Sequence, residues 1–487
     1  MKMRNFFWTG LVLFGLMACS DDLKEGEGGE QRGDAYLTVK FSMPNDLGGR
    51  AGQPTGGEEG DGEEEGFPNE SEIKNVCVVL YEYDEGHNGT LSKVESRVDG
   101  LTKEGDGYIL STPIETTIGE KSVYVILNSD LEESDFPQRE GELRNMLTKD
   151  YEKEGAFMMS NADYAKASIT ADNKDPENPG FAQVSVARIV GKLMYKSTDG
   201  DEYIVKGSDG DKVKFKSLDV VNLMTDSYLF RRVGQNQTDA VLFGKEQYPS
   251  TDYVIDPIFD ERGGNDTWFT SQKYKDSYTD PLVGFEYSDT EFPLPVNSEE
   301  DQDKIDADGY KLITYCLENT AEKSLQKNGN STGLIFKAVY TPSGFDEGKT
   351  FYRYKGLLYK SWEDLKKVTE DYLEGYETDI ALSENPDAEQ LEKLNTIMAE
   401  HKIDRFKDGV CYYTYWIKHA NSEETMGVME FAIVRNNVYK MSITSVSSIG
   451  TPEIPDEPGT DDEKDEAYLN IDVKILPWTL RYNAIEF

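Results

Sequence analysis

The chain is 487 residues long and carries 93 Asp and Glu against 51 Lys and Arg, a formal net charge of −42. That length exceeds one ordinary core and suits two or three domains, while the charge sets every phosphate contact against repulsion and excludes nucleic acid as a partner. Hydrophobic residues at 37%, with 29 Tyr and 21 Phe, are too many for a disordered chain, and three His and four Cys are thin material for transition-metal chemistry.

At the amino terminus Lys2 and Arg4 precede a short apolar run from Phe6 to Met17, and Leu16-Met17-Ala18-Cys19 has the spacing of a lipobox. So short a run favours a cleaved signal over a membrane-spanning helix. Cys19 is the residue expected to carry the lipid, which would be the only attachment to a membrane. Export permits disulfides, but Cys77, Cys316 and Cys411 form an odd, widely spaced set without zinc-site spacing. They read as small buried hydrophobes.

Residues 20–34 are a polar tether. Leu37, Val39, Phe41 and Met43 then alternate with polar residues, which predicts a half-buried strand over 36–43 stopped by Pro44. Residues 45–52 read as an exposed loop, and the acidic run 57–66 as solvated chain. Strands are expected at 73–81, 122–128, 184–193 and 213–223, each a short apolar run between turn residues. The last two echo the order of the strands at 36–43 and 73–81, suggesting two similar β-domains with Asp172–Gly180 as linker. Residues 235–310 are loop-rich and acidic. Beyond them strands are expected at 333–340, 351–358, 410–418 and 434–446. Trp362, Leu365, Val368 and Tyr372, and again Leu391, Leu394, Ile397 and Met398, lie at helical spacing and read as an insertion packed on a sheet.

Chemical motifs are sparse. The clusters Asp199-Gly200-Asp201, Asp209-Gly210-Asp211 and Asp306-Ala307-Asp308-Gly309 lack the EF-hand pattern and read as turns. No Gly-rich phosphate loop, Gly-x-Ser-x-Gly or HExxH occurs. His87, His401 and His419 are isolated, so neither a catalytic site nor a cofactor is expected. The informative feature is a likeness between the two ends. Leu469, Ile471, Val473 and Ile475 form an apolar comb with the period and bulk of Leu37, Val39, Phe41 and Met43, and Pro477-Trp478 follows. Between that last strand and the body lie Pro452, Pro455 and Pro458 with eight acidic residues, a segment expected to be stiff, extended and poorly able to collapse onto its domain. If the chain is cut at Arg50 the first strand can leave, and the last strand of a second copy can fill the vacancy by β-strand addition. Head-to-tail repetition of such a contact makes a filament.

The lipobox, Ser185-Val186-Ala187-Arg188-Ile189-Val190-Gly191-Lys192, Tyr412-Tyr413-Thr414-Tyr415-Trp416, Val434-Arg435-Asn436-Asn437-Val438-Tyr439 and Val473-Lys474-Ile475-Leu476-Pro477-Trp478 together resemble one family. It is the Bacteroidales fimbrillins, in particular the major subunit of the minor (short) fimbriae, the type V pilus shaft protein. The resemblance covers both ends and the domain junction. It implies an all-β dominated fold of two transthyretin-like β-sandwich domains with a small helical insertion (361–403) in the second. The corresponding layout is a signal peptide over 1–19, a leader with the first strand over 20–50 that is removed on maturation, sandwich domains over 51–180 and 181–449, and the arm with its donor strand over 450–487.

The family further implies lipidation at Cys19, cleavage between Arg50 and Ala51 by an Arg-specific maturation protease, and donation of the last strand, with Trp478 at the subunit junction or over its own sheet. Arg435-Asn436-Asn437 is expected to be a structural turn. Ser20-Asp21-Asp22 resembles the acidic signal that sends Bacteroidales lipoproteins to the outer cell face. The implied protein is a structural subunit of an adhesive fimbria, lipidated at the outer membrane as a precursor. Its partners would be further copies of itself, anchor and tip subunits, the protease, and a host or bacterial surface ligand. A tip or anchor subunit, or a surface glycan-binding lipoprotein with exposed Trp and Tyr, are the alternatives.

Overall fold

The computed structural model describes residues 34–42, 64, 66–241, 253–257 and 304–477, apart from short gaps within the longer stretches. Cys19, Met43, Arg50, Ala51, Trp268 and Trp478 lie outside the described residues. The chain is strand-rich and builds β-sandwiches, as the alternating patterns require.

In the amino-terminal unit the strand Ala35–Ser42 alternates as predicted, with Leu37, Val39 and Phe41 at 0%, 0% and 1% exposure. It is an interior strand. On one side it runs parallel to Gly180–Arg188, from Leu37 opposite Gly180 to Ser42 opposite Ser185. On the other it pairs antiparallel with Gly107–Leu110 and Ile114–Thr116. The facing wall is built on Val76–Glu82 and Gly119–Leu127, joined antiparallel, with Leu91–Arg97 outside them. Leu37, Val39 and Phe41 meet Val76, Val78, Leu80, Val123 and Val125 between the walls in one continuous core.

The strand after the expected linker hydrogen-bonds into this first sheet system, and the change of sheet falls at Ile189. From there Val190–Tyr195 enters a four-stranded sheet ordered Lys311–Leu317, Val190–Tyr195, Asn437–Val446, Leu469–Pro477. It faces a second sheet of Glu202–Ile204, Lys212–Val221, Gly333–Thr341 and Val410–Trp416. Leu193, Tyr439, Met441 and Ile443 from the first of these pack on Val213, Phe215, Phe336 and Tyr413 from the second.

The expected helical insertion is present between Gly333–Thr341 and Val410–Trp416. Helices Trp362–Lys366, Glu370–Leu373 and Ala388–Glu400 pack with a three-stranded sheet of Phe351–Tyr354, Leu357–Tyr359 and Asp404–Phe406 around Trp362, Leu365, Leu373, Leu394 and Met398. The single strand expected over 351–358 is a hairpin, because Lys355 and Gly356 both take positive φ (47° and 77°), the geometry of a tight two-residue turn. Asp387 caps the longest helix by accepting from the Glu389 and Gln390 amides at 3.0 and 3.1 Å. Among the described residues no helix is long and apolar enough to cross a membrane.

Candidate functional site

The slot holding the first strand is cut closely to its occupant. A Cβ on Gly107 would lie 2.4 Å from the Phe41 carbonyl oxygen, and one on Gly180 would lie 2.5 Å from Ile169 Cδ1. Glycine at 107 lets that flanking backbone close on the strand, and glycine at 180 leaves room for the Ile169 side chain. Phe41 stacks on Tyr108 at 5.9 Å, and Thr38 donates its hydroxyl to the Leu110 carbonyl at 3.3 Å. Burial of Leu37, Val39 and Phe41 is worth roughly 5–9 kcal/mol gross at about 1.5–3 kcal/mol each. Taking the strand out would bare backbone donors and acceptors on both flanks at once, together with that apolar lining.

The other comb occupies a different kind of place. Leu469–Pro477 is an edge strand, paired antiparallel with Asn437–Val446 and with nothing beyond it among the described residues. Leu469 is buried, and Ile471 and Val473 are partly buried against the second sandwich's core. Leu476, on the opposite face, enters a core shared by both units. The backbone of Ile475 pairs opposite Tyr439.

The segment before that strand departs from expectation. Rather than standing away from its domain, it is tied down at several described points between Gly450 and Glu463, where backbone and acidic side chains find specific partners. The reason is physical: proline spacing stiffens a chain but does not prevent docking when its carboxylates meet fixed donors.

Two motifs that carry the family resemblance prove to be buried ion networks. Arg188, Lys192 and Glu70 are each 0% exposed. The Glu70 carboxylate accepts from Lys192 Nζ at 2.9 Å, from the Tyr315 hydroxyl at 2.5 Å and from the Phe67 amide at 2.5 Å. Arg188 donates to the Glu70 carbonyl at 2.9 Å and to Ser71 Oγ at 3.2 Å. Burial lowers the Arg188 guanidinium to about 10 against the opposing pull of Glu70, lowers Lys192 as well, and raises the Tyr315 phenol. The network pins residues 67–71 to the sheet change at Ile189, on the far side of the expected cleavage segment from the first strand. Arg435 pairs with Glu318 at 2.7 Å and donates to the Tyr228 carbonyl at 2.6 Å, while Asn436 takes φ 60°. That run is a structural turn.

The remaining candidates are structural too. Asp306 closes a turn by accepting from the Asp308 and Tyr310 amides, and Asp211 accepts from the Tyr340 hydroxyl at 2.6 Å. Among the described residues no group of acidic, His or Cys side chains is placed to hold a metal. Cys77, Cys316 and Cys411 are all buried thiols, with Cys77 raised to about 11 and Cys411 to about 12 by burial. Trp362 is 8% exposed and donates Nε1–H to the Tyr376 carbonyl, so it offers no exposed stacking platform for a glycan.

Residues 404–484, which contain Val410–Trp416, Asn437–Val446, the tied-down arm and the edge strand, match the family model described as "Major fimbrial subunit protein type IV, Fimbrillin, C-terminal". Through this segment the chain is similar to the C-terminal part of the fimbrillins. No curated protein sequence matches it. Among solved structures, it is similar to a candidate cell adhesion protein from Parabacteroides distasonis at 14% identity, covering 93% of this chain and 99% of that one with a TM-score of 0.44. The tip fimbrial protein Mfa3 from Porphyromonas gingivalis, with C-terminal truncation, is similar at 10% identity over 91% of this chain and 99% of that one, TM-score 0.35. The fimbrial anchor protein Mfa2 from the same organism matches at 8% over 40% of this chain and 61% of that one, TM-score 0.21.

Proposed function

We propose that this chain is a fimbrillin, a structural shaft subunit of the minor-fimbria type, exported as a lipoprotein on Cys19, cut between Arg50 and Ala51, and polymerised by donor-strand exchange. One observation carries the reading: the first strand fills an interior slot with hydrogen-bonding neighbours on both flanks, while a comb of matching period sits at an edge, held by one neighbour. Cleavage after Arg50 separates the first strand covalently from its unit, yet the chain downstream stays fixed through Glu70. In the polymer the slot of one copy receives Leu469, Ile471, Val473 and Ile475 of the next. Anchor and tip subunits would end such a polymer, and the lipid of the precursor would deliver it to the outer membrane.

The test is the amino terminus of assembled filaments. Mass spectrometry of purified polymer is expected to find Ala51 first. A polymer whose subunits still carry the strand Ala35–Ser42 would overturn the exchange.

A further inference from the structure

The acidic arm is held by contacts of its own, apart from those of the strand it carries. A Cβ on Gly450 would come within 2.2 Å of the Tyr412 carbonyl oxygen, so only glycine lets the arm approach there. The next residue, Thr451, exchanges both backbone hydrogen bonds with Tyr412 at 2.8 and 2.9 Å. Ile454 packs on the cluster of Val221, Ile335 and Trp416. Farther along, Asn328 donates its amide to the Thr460 carbonyl at 3.0 Å, and Lys327 meets Asp461 at 2.7 Å. Ser331 donates to Asp462 Oδ2 at 2.5 Å, and Asp462 itself is 5% exposed. At the end of the arm, Glu463 accepts from the Met426 amide at 2.8 Å.

These contacts use both backbone and side chains, and they fall on segments that belong to the second sandwich alone. None of them involves the strand Leu469–Pro477. The strand and the arm are therefore separately attached, and one can be released without the other.

We infer that residues 450–454 and 459–463 form a permanent clamp, which stays docked on its own subunit while only the strand beyond it passes to a neighbouring copy. This rests on the exchange reading above and adds to it the point from which the strand swings. Six residue steps separate Glu463 from Leu469, so Leu469 can travel no farther than about 20–22 Å from the clamp's end at ~3.3–3.6 Å per residue. The acceptor slot of the second copy must then come within that radius, which makes the joint between subunits short.

Two cysteine pairs in the full chain separate the clamp from the exchange, each closed by a mild oxidant that takes up the two electrons and two protons of the thiols. Cys77, Cys316 and Cys411 are buried, which keeps them out of the reaction. Ser331→Cys with Asp462→Cys locks the clamp; Ile443→Cys with Ile471→Cys, residues opposite each other in the ladder, locks the strand. Filament yield by electron microscopy is expected to be unchanged for the locked clamp and to fall at least tenfold for the locked strand. A locked clamp that blocks assembly, with assembly restored on reduction, overturns the clamp. A locked strand that assembles normally overturns the exchange itself. Hydrogen exchange on the unmodified chain decides the clamp independently of how either variant folds. Amides of Thr451, Met426 and Asp462 should be as protected in filaments as in monomers, and loss of that protection on assembly counts against the proposal.

Discussion

Replacing Glu70 by Ala is expected to destabilise the protein by about 3–5 kcal/mol, the cost of breaking a buried ion pair from one side. The carboxylate serves Lys192, Tyr315 and the Phe67 amide at once, and the Lys192 ammonium is too deeply buried for solvent to take its place. Glu70→Gln keeps the shape and part of the hydrogen bonding but removes the carboxylate charge beside Lys192, so it should fall between wild type and Glu70→Ala. Glu70→Gln combined with Lys192→Met should recover part of the loss, because removing both charges removes the desolvation each one needs. Denaturant unfolding of the three variants checks the order. A loss below about 1 kcal/mol for Glu70→Ala would mean that the network is not a structural anchor.

Deletion of residues 467–487 is expected to abolish filaments while leaving a folded monomer. The strand is at an edge, so its removal opens one side of one sheet and leaves Asn437–Val446 still paired with Val190–Tyr195. The buried Leu469 and Leu476 are lost with it, roughly 3–6 kcal/mol of burial for those two side chains. Electron microscopy and size-exclusion chromatography read the result, and filaments of ordinary length would refute donation. A companion substitution gives the opposite asymmetry. Val39→Asp places an unpaired charge at a fully buried position and should weaken the uncut precursor severely. The same change should leave no trace in a polymer that has already shed that strand.

Much of this architecture is readable from period alone. The first strand announces itself because its alternating residues face a core on one side only, and the helix Ala388–Glu400 does so through Leu394 and Met398 with an Asp before it. What period cannot convey is partnership across long sequence distances. Arg188 and Lys192 look like solvent-facing charges within a strand pattern, and their partner Glu70 lies 118 and 122 residues away. The docking of the acidic arm is hidden for the same reason, since Lys327, Ser331 and the Met426 amide are remote in the chain and only the fold collects them. The switch of sheet at Ile189 is likewise hard to read, because apolar residues continue on both sides of it, from Val184 and Val186 to Val190 and Leu193. The two combs are legible as a pair, but their unequal settings are not.

Under the proposed exchange, that inequality would give assembly a direction. A strand at a rim holds on by a single ladder and can peel away one bond at a time, whereas an interior slot grips its occupant from both flanks. A segment moving from rim to slot exchanges one set of backbone bonds for two, each worth about 0.5–1.5 kcal/mol net. Detachment from home would be stepwise and reversible, and capture would be far harder to undo, so growth would run forward without an external energy source.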